Sequence, residues 1–107
     1  MGFIQVMTTT ETKEQAQIIA RHLVEKKLAA CVQISDGIES TYLWKGKIET
    51  AREFMCFIKT SDDLYPQVEA AITKMHTYEI PEIIALPIAK GSQNYLQWLD
   101  ESLADKL

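Results

Sequence analysis

Apolar residues in this chain recur at two different spacings, in an order that leaves few folds open. Phe3, Ile4, Val6 and Met7, followed by threonines, read as a strand over 3–8. Ala16, Ile19, Ala20, Leu23 and Val24 then fall at i, i+3, i+4, i+7 and i+8, one face of an amphipathic helix. Thr12 suits its N-cap, and Gln15 three residues on completes a capping box. A second strand opens at Leu28-Ala29-Ala30-Cys31-Val32 and extends over 29–44, with Asp36-Gly37 as a bulge or kink. Beyond that kink Ile38, Ser40, Tyr42 and Trp44 share one face, and Lys45-Gly46 makes a tight reversal. The return strand over 47–60 ends in Phe54-Met55-Cys56-Phe57-Ile58, apolar on both faces, as in a strand covered on both sides. Leu64, Val68, Ala71, Ile72 and Met75 form a second helical stripe, capped by Ser61 or Asp62, with Pro66 in its first turn. Residues 82–89 read as a fourth strand in which Pro87 demands an edge or a bulge. After Gly91 a short last helix carries Tyr95, Leu96, Trp98, Leu99 and Leu103.

Strand, helix, strand, strand, helix, strand is the split βαβ order of a ferredoxin-like α+β domain, here with an extra C-terminal helix. The expected domain is single and covers 1–107, a length that one core can serve. With 47% apolar residues and a net charge of only −4, the composition excludes a disordered chain. No stretch concentrates Lys and Arg, and Phe54-Met55-Cys56-Phe57 lacks the flanking basic and glycine residues of an RNA-recognition strand, so no nucleic-acid partner is expected. The longest apolar stretch, over 83–89, contains a proline and does not span a bilayer. Met1-Gly2-Phe3 leads straight into a strand, so no signal peptide and a cytoplasmic location are expected. Cys31 and Cys56, 25 residues apart in apolar runs, read as buried reduced thiols.

No common catalytic motif is present, and no residue set proposes a reaction, so an enzyme is not expected. Two segments are less ordinary. The hairpin tip Tyr42-Leu43-Trp44-Lys45-Gly46-Lys47-Ile48-Glu49 carries aromatics that its own domain can hardly cover. Strands of sixteen and fourteen residues, 29–44 and 47–60, extend roughly 45–50 Å at about 3.3 Å per residue. A compact domain of this size measures about 35 Å across, so the hairpin overhangs it by roughly 10 Å. Tyr42, Trp44 and Ile48 are therefore the candidate oligomer interface. The second segment is His76-Thr77-Tyr78-Glu79-Ile80-Pro81-Glu82, whose imidazole, phenol and carboxylates suit a metal or a polar ligand in a cleft. His76, Glu79 and Glu82 are its candidate metal ligands.

Six segments stand in order along the chain: Leu28-Ala29-Ala30-Cys31-Val32, Tyr42-x-Trp44-x-Gly46-Lys47-Ile48-Glu49, Ile58-Lys59-Thr60, His76-x-Tyr78-Glu79-x-Pro81-Glu82-Ile83-Ile84, Leu86-Pro87-Ile88 and Tyr95-x-x-Trp98. Together they resemble the CutA family of divalent-cation tolerance proteins. The resemblance runs in order from about residue 3 to residue 103. It implies a compact cytoplasmic homotrimer with intersubunit sheet pairing, associated with copper and other divalent ions and without established catalytic activity. It also implies likeness to the trimeric PII signalling proteins, hence an alternative role as a small-molecule sensor with polar ligands in intersubunit clefts. Cys31, Lys59 and Tyr78, all inside the matching segments, are candidates for lining such a cleft. Copper ligands in the family are attributed to a Cys on the first strand and to a His pair. At the matching positions this chain has Thr8, Met75 and His76, and Thr77 and Gln33 replace a usual Pro and Asn. Any Cu(II) or other divalent cation is thus expected to bind weakly, through His76 and nearby carboxylates.

Overall fold

A computed structural model of the chain describes residues 2–104. Phe3–Thr10 forms β1, two residues longer than its apolar pattern, because Thr9 and Thr10 stay paired with Met55 and Phe54. Helix α1, Lys13–Glu25, starts at Thr12, whose hydroxyl accepts from the Gln15 backbone N–H at 3.1 Å. Only that half of the capping box forms. The Gln15 side chain instead donates to the Met75 carbonyl, 60 residues away, at 2.9 Å.

The strand expected over 29–44 is two strands, β2 at Cys31–Ile34 and β3 at Ile38–Trp44. Both pair with one long strand β4, Lys47–Ser61. Ile34 faces Cys56 and Ile38 faces Glu53, so four steps on one side match three on the other. One extra residue is therefore accommodated at Ser35–Gly37, the bulge that Asp36-Gly37 foreshadowed. A short 3₁₀ turn, Asp62–Leu64, then leads into α2, Tyr65–Met75, with Pro66 in its first turn and no side-chain cap from Ser61 or Leu64. The fourth strand is shorter than expected: β5 is Ile84–Pro87, an edge strand against β1 with Pro87 as its last residue. Gln93–Glu101 forms α3.

The sheet is antiparallel, in the order β2-β4-β1-β5, with β3 continuing beside β4. The α+β expectation holds, with five strands rather than four because the bulge divides one of them. Register pairs Ile4 with Thr60, Val6 with Ile58 and Thr8 with Cys56, and all six are buried. Ala16, Ile19 and Leu23 of α1 and Val68 and Ile72 of α2 pack on that face. A smaller cluster of Leu64, Leu99 and Leu103 joins α3 to Phe3 and Leu28. On the opposite face Met7 and Phe57 are only half-buried, and Ile84 and Leu86 are exposed. The molecule measures 44 × 26 × 22 Å, longer than the roughly 35 Å of a compact domain, as the hairpin overhang requires. Among the described residues no helix is long and apolar enough to cross a membrane.

Candidate functional site

Alternation along the β3–β4 hairpin puts Ser40, Tyr42 and Trp44 on one face together with their partners Ala51, Glu49 and Lys47, and Ile38 with Glu53. That face turns toward the loop 77–82. Between them lies a cleft of about 900 Å³, lined by Tyr42, Trp44, Glu53 and Tyr78, by Glu79 and Glu82, and by Glu11 and Arg52. Of the segment singled out in the sequence, residues 77–82 line this cleft and His76 does not, and they share it with two of the three interface candidates. Ile48 does not join them. It pairs with Leu43 on the other side of the hairpin, where both are more than 70% exposed.

His76 departs from its expected role. Its Nε2 lies 2.7 Å from the Thr9 carbonyl, and its Nδ1 accepts from the Tyr78 backbone N–H at 3.1 Å. A ring that accepts at Nδ1 and meets a carbonyl at Nε2 is the neutral tautomer protonated on Nε2. Both nitrogens are engaged by backbone groups, so His76 anchors the start of the loop to the end of β1. Tyr78 continues the anchor, donating its phenol hydrogen to Glu53 Oε2 at 2.8 Å, with its ring 4.8 Å from that of His76. Burial, and then the Glu53 carboxylate as acceptor, push the Tyr78 phenol upward, so it remains a donor. Glu79 and Glu82 are exposed.

The other candidate ligands fit a preformed copper centre no better. Thr8 is fully buried in the core with its hydroxyl unpartnered, and Met75 is half-buried in the packing of α2. Among the described residues no three His, Cys, Asp or Glu side chains converge on a point that could hold a metal. The donor set does not fit a tight copper site.

Cys31 and Lys59 are register partners, and Lys59 Nζ donates to the Gln33 side chain at 2.7 Å and sits 5.8 Å from the Tyr95 ring. Tyr78 is held by Glu53, six residues along β4 from Lys59, about 20 Å at ~3.3 Å per residue. Within one chain these three do not line a common cleft. Cys31 is half-buried, and Cys56 is fully buried on the helix-covered face, with its thiol pushed up to about 11 by burial; both are free. Sequence reasoning missed Glu53 and Glu11. The signal for Glu53 was the alternation itself, which puts it on the cleft face two residues from Ala51.

Residues 4–102 match the family model described as CutA1 divalent ion tolerance protein. The chain belongs to that family. The divalent-cation tolerance protein CutA of Thermus thermophilus is 41% identical over 97 residues, 91% of this chain and 94% of that protein. The chloroplastic protein CutA of Arabidopsis thaliana is 42% identical over 92% of this chain, which spans 54% of the plant protein's length. The crystal structure of CutA1 from Oryza sativa superposes with a TM-score of 0.94 at 40% identity, covering 97% of this chain and 95% of that one. In this CutA1 chain Tyr42 and Trp44 of the hairpin segment and Tyr78, Glu79, Pro81 and Glu82 of the loop segment thus line one cleft.

Proposed function

We propose that this CutA1 chain acts in divalent-cation response as a cytoplasmic, non-catalytic homotrimer. The observation that carries the cation role is the family match across residues 4–102. What supports assembly is the hairpin, which leaves Tyr42, Leu43 and Ile48 exposed, 43%, 71% and 78%, on an arm that its own domain does not cover. A ring in which each copy gives and receives one hairpin removes that exposure, and three copies is the number the resemblance implies. With His76 committed to the backbone, divalent cations meet the exposed carboxylates Glu79 and Glu82 at the cleft, in weak and exchangeable contact. The test is a thermal-shift series with Cu(II), Zn(II) and Mg(II). A ligand that prefers the native state must stabilise it, so stabilisation is expected only well above micromolar concentration and is reduced in Glu79→Gln/Glu82→Gln. No stabilisation by any of the three at millimolar concentration overturns the cation role.

The size of the cleft favours a second reading, a small-molecule sensor that takes a polar ligand between subunits in the manner of the PII proteins. Its about 900 Å³ is ample for a metabolite and far larger than a lone ion needs. A panel of metabolites and nucleotides in the same assay separates the two.

A further inference from the structure

Between β2 and β3 the backbone leaves the ladder. Ser35 still donates to the Met55 carbonyl at 2.9 Å, and its hydroxyl accepts from the Met55 N–H at 3.0 Å. Pairing resumes at Ile38 opposite Glu53. Asp36 and Gly37 lie between, in neither strand, and among the described residues the Gly37 N–H donates to no backbone acceptor. The Asp36 side chain is 97% exposed, and its contact with Lys13 Nζ, at 3.9 Å, is too long and too exposed to fix it.

A carboxyl group free to turn can close a five-membered ring on the next amide nitrogen when no hydrogen bond occupies that nitrogen. What ordinarily hinders the closure is the side chain of the following residue, and here that residue is glycine. The fold itself requires the glycine. Gly37 is not among the residues with positive φ, but a Cβ there would run into the Arg52 guanidinium, which packs over it. The same guanidinium puts positive charge beside the nitrogen that must lose its proton. The other aspartates lack this setting. Asp62 and Asp63 open the 3₁₀ turn and precede Asp63 and Leu64, and Asp100 lies in α3 before Glu101.

We propose that Asp36–Gly37 is a site of spontaneous backbone isomerisation, at which aspartate passes through a succinimide to isoaspartate. The Gly37 nitrogen bonds to Asp36 Cγ, and its proton leaves with the carboxyl hydroxyl as water. Water then opens the ring. Addition at Cγ restores aspartate, whereas addition at the Asp36 main-chain carbonyl breaks that carbon's bond to nitrogen and leaves the chain running through Cβ and Cγ. No reactant besides water takes part, and the mass is unchanged. The product has one more carbon in its main chain and a free α-carboxylate, at the joint where pairing to β4 passes from β2 to β3. An isomerised chain thus carries its β3–β4 arm on an altered joint. This inference stands apart from the cation and sensor readings.

The experiment is ageing of the assembled wild-type protein at neutral pH and physiological temperature, followed by peptide mapping with electron-transfer fragmentation, which tells the two isomers apart. Isoaspartate should accumulate in the tryptic peptide 28–45 no more than about tenfold more slowly than in the same peptide free in solution, because an unpaired amide needs little local opening. Asp36→Asn should react faster, releasing ammonia in place of water. Asp36→Glu keeps the charge on an exposed side chain but would need a six-membered ring, and should stay unmodified. A native rate further below that of the free peptide, or isoaspartate at Asp62 or Asp100 as fast as at Asp36, overturns the proposal. Hydrogen exchange of the aged protein should be faster over 38–53 and unchanged over 65–75. Unchanged exchange over 38–53 in an isomerised sample overturns the effect on the arm.

Discussion

At the scale of single residues, the chemistry of this chain is decided by which polar atoms are already spent. His76→Ala removes the partner of the Thr9 carbonyl and of the Tyr78 N–H at once. Half-buried groups left unsatisfied cost about 1–3 kcal/mol, so chemical denaturation should show a loss of that size. Divalent-cation affinity should stay close to wild type in the same variant; a selective loss of Cu(II) binding with unchanged stability would restore His76 as a ligand. Cys56 gives a second prediction. Its folded-state value of about 11 lies above the ordinary 9.0, because burial disfavours the thiolate. The sign follows from the unfolded chain, which ionises first: stability is fully present below pH 9 and is lost as pH rises toward 11, by at most about 1.4 kcal/mol per unit. Cys56→Ala should flatten that part of the stability–pH curve. Iodoacetamide at pH 8 should leave Cys56 unlabelled by mass spectrometry until denaturant is added, and should reach the half-buried Cys31 first.

At the scale of elements, the reversal between β3 and β4 is the most strictly specified turn. Lys45 and Gly46 both have positive φ, 52° and 82°, the combination that a two-residue hairpin loop of matching twist demands. Gly46→Ala places a Cβ in left-handed backbone and should cost about 1–2 kcal/mol, while Lys45→Asn should gain a few tenths, read as opposite shifts in melting temperature. That turn was legible because the signal is two residues long. So were the N-cap Thr12, the stripes Ala16–Ile19–Leu23 and Val68–Ile72, and Pro66 in a first turn, all of which depend on neighbours within a few residues. What could not be read depends on distant partners. Gln15 leaves its capping box for a carbonyl 60 residues on, and His76 reaches across 67 residues to Thr9. β5 pairs with β1 only from Ile4 to Met7, with Ile88 adding one hydrogen bond to the Phe3 carbonyl. The cleft shows the same division: the loop 77–82 and the Tyr42–Trp44 face announced themselves as dense local patterns, whereas Glu53 joins them only through the register of a folded hairpin.

At the scale of the whole molecule, the question is what a 44 Å body of this mass does with its long arm. β4 runs fifteen residues unbroken, and its distal half is paired only with β3. Tyr42 and Trp44 occupy one side of that ribbon and Leu43 and Ile48 the other, so the arm is apolar on both faces. A two-stranded ribbon is marginal in water by itself, and exposed apolar ribbon with free edges invites pairing with another chain. Ile84 and Leu86 are 46% and 50% exposed on the open side of the sheet, a second apolar surface of the chain. Trp44 is already half-buried within its own chain, so covering what remains contributes only part of the several kcal/mol that a whole tryptophan side chain gives at about 25 cal/mol per Å², before ordering entropy is subtracted. In a closed ring every copy gains that term at its own tip. The proposed trimer therefore predicts a wild-type mass of three chains by light scattering at micromolar concentration. Trp44→Ala should shift the protein toward smaller species on dilution, and Ile48→Asp should do so more strongly, since it places a charge where apolar contact is needed. Neither change touches the core of Val6, Ile19, Ile58 and Ile72, so circular dichroism of the separated species should stay that of a folded chain. A wild-type protein that is monomeric at these concentrations, or a Trp44→Ala/Ile48→Asp double variant as fully assembled as wild type, would show that the arm serves something other than a ring of its own copies.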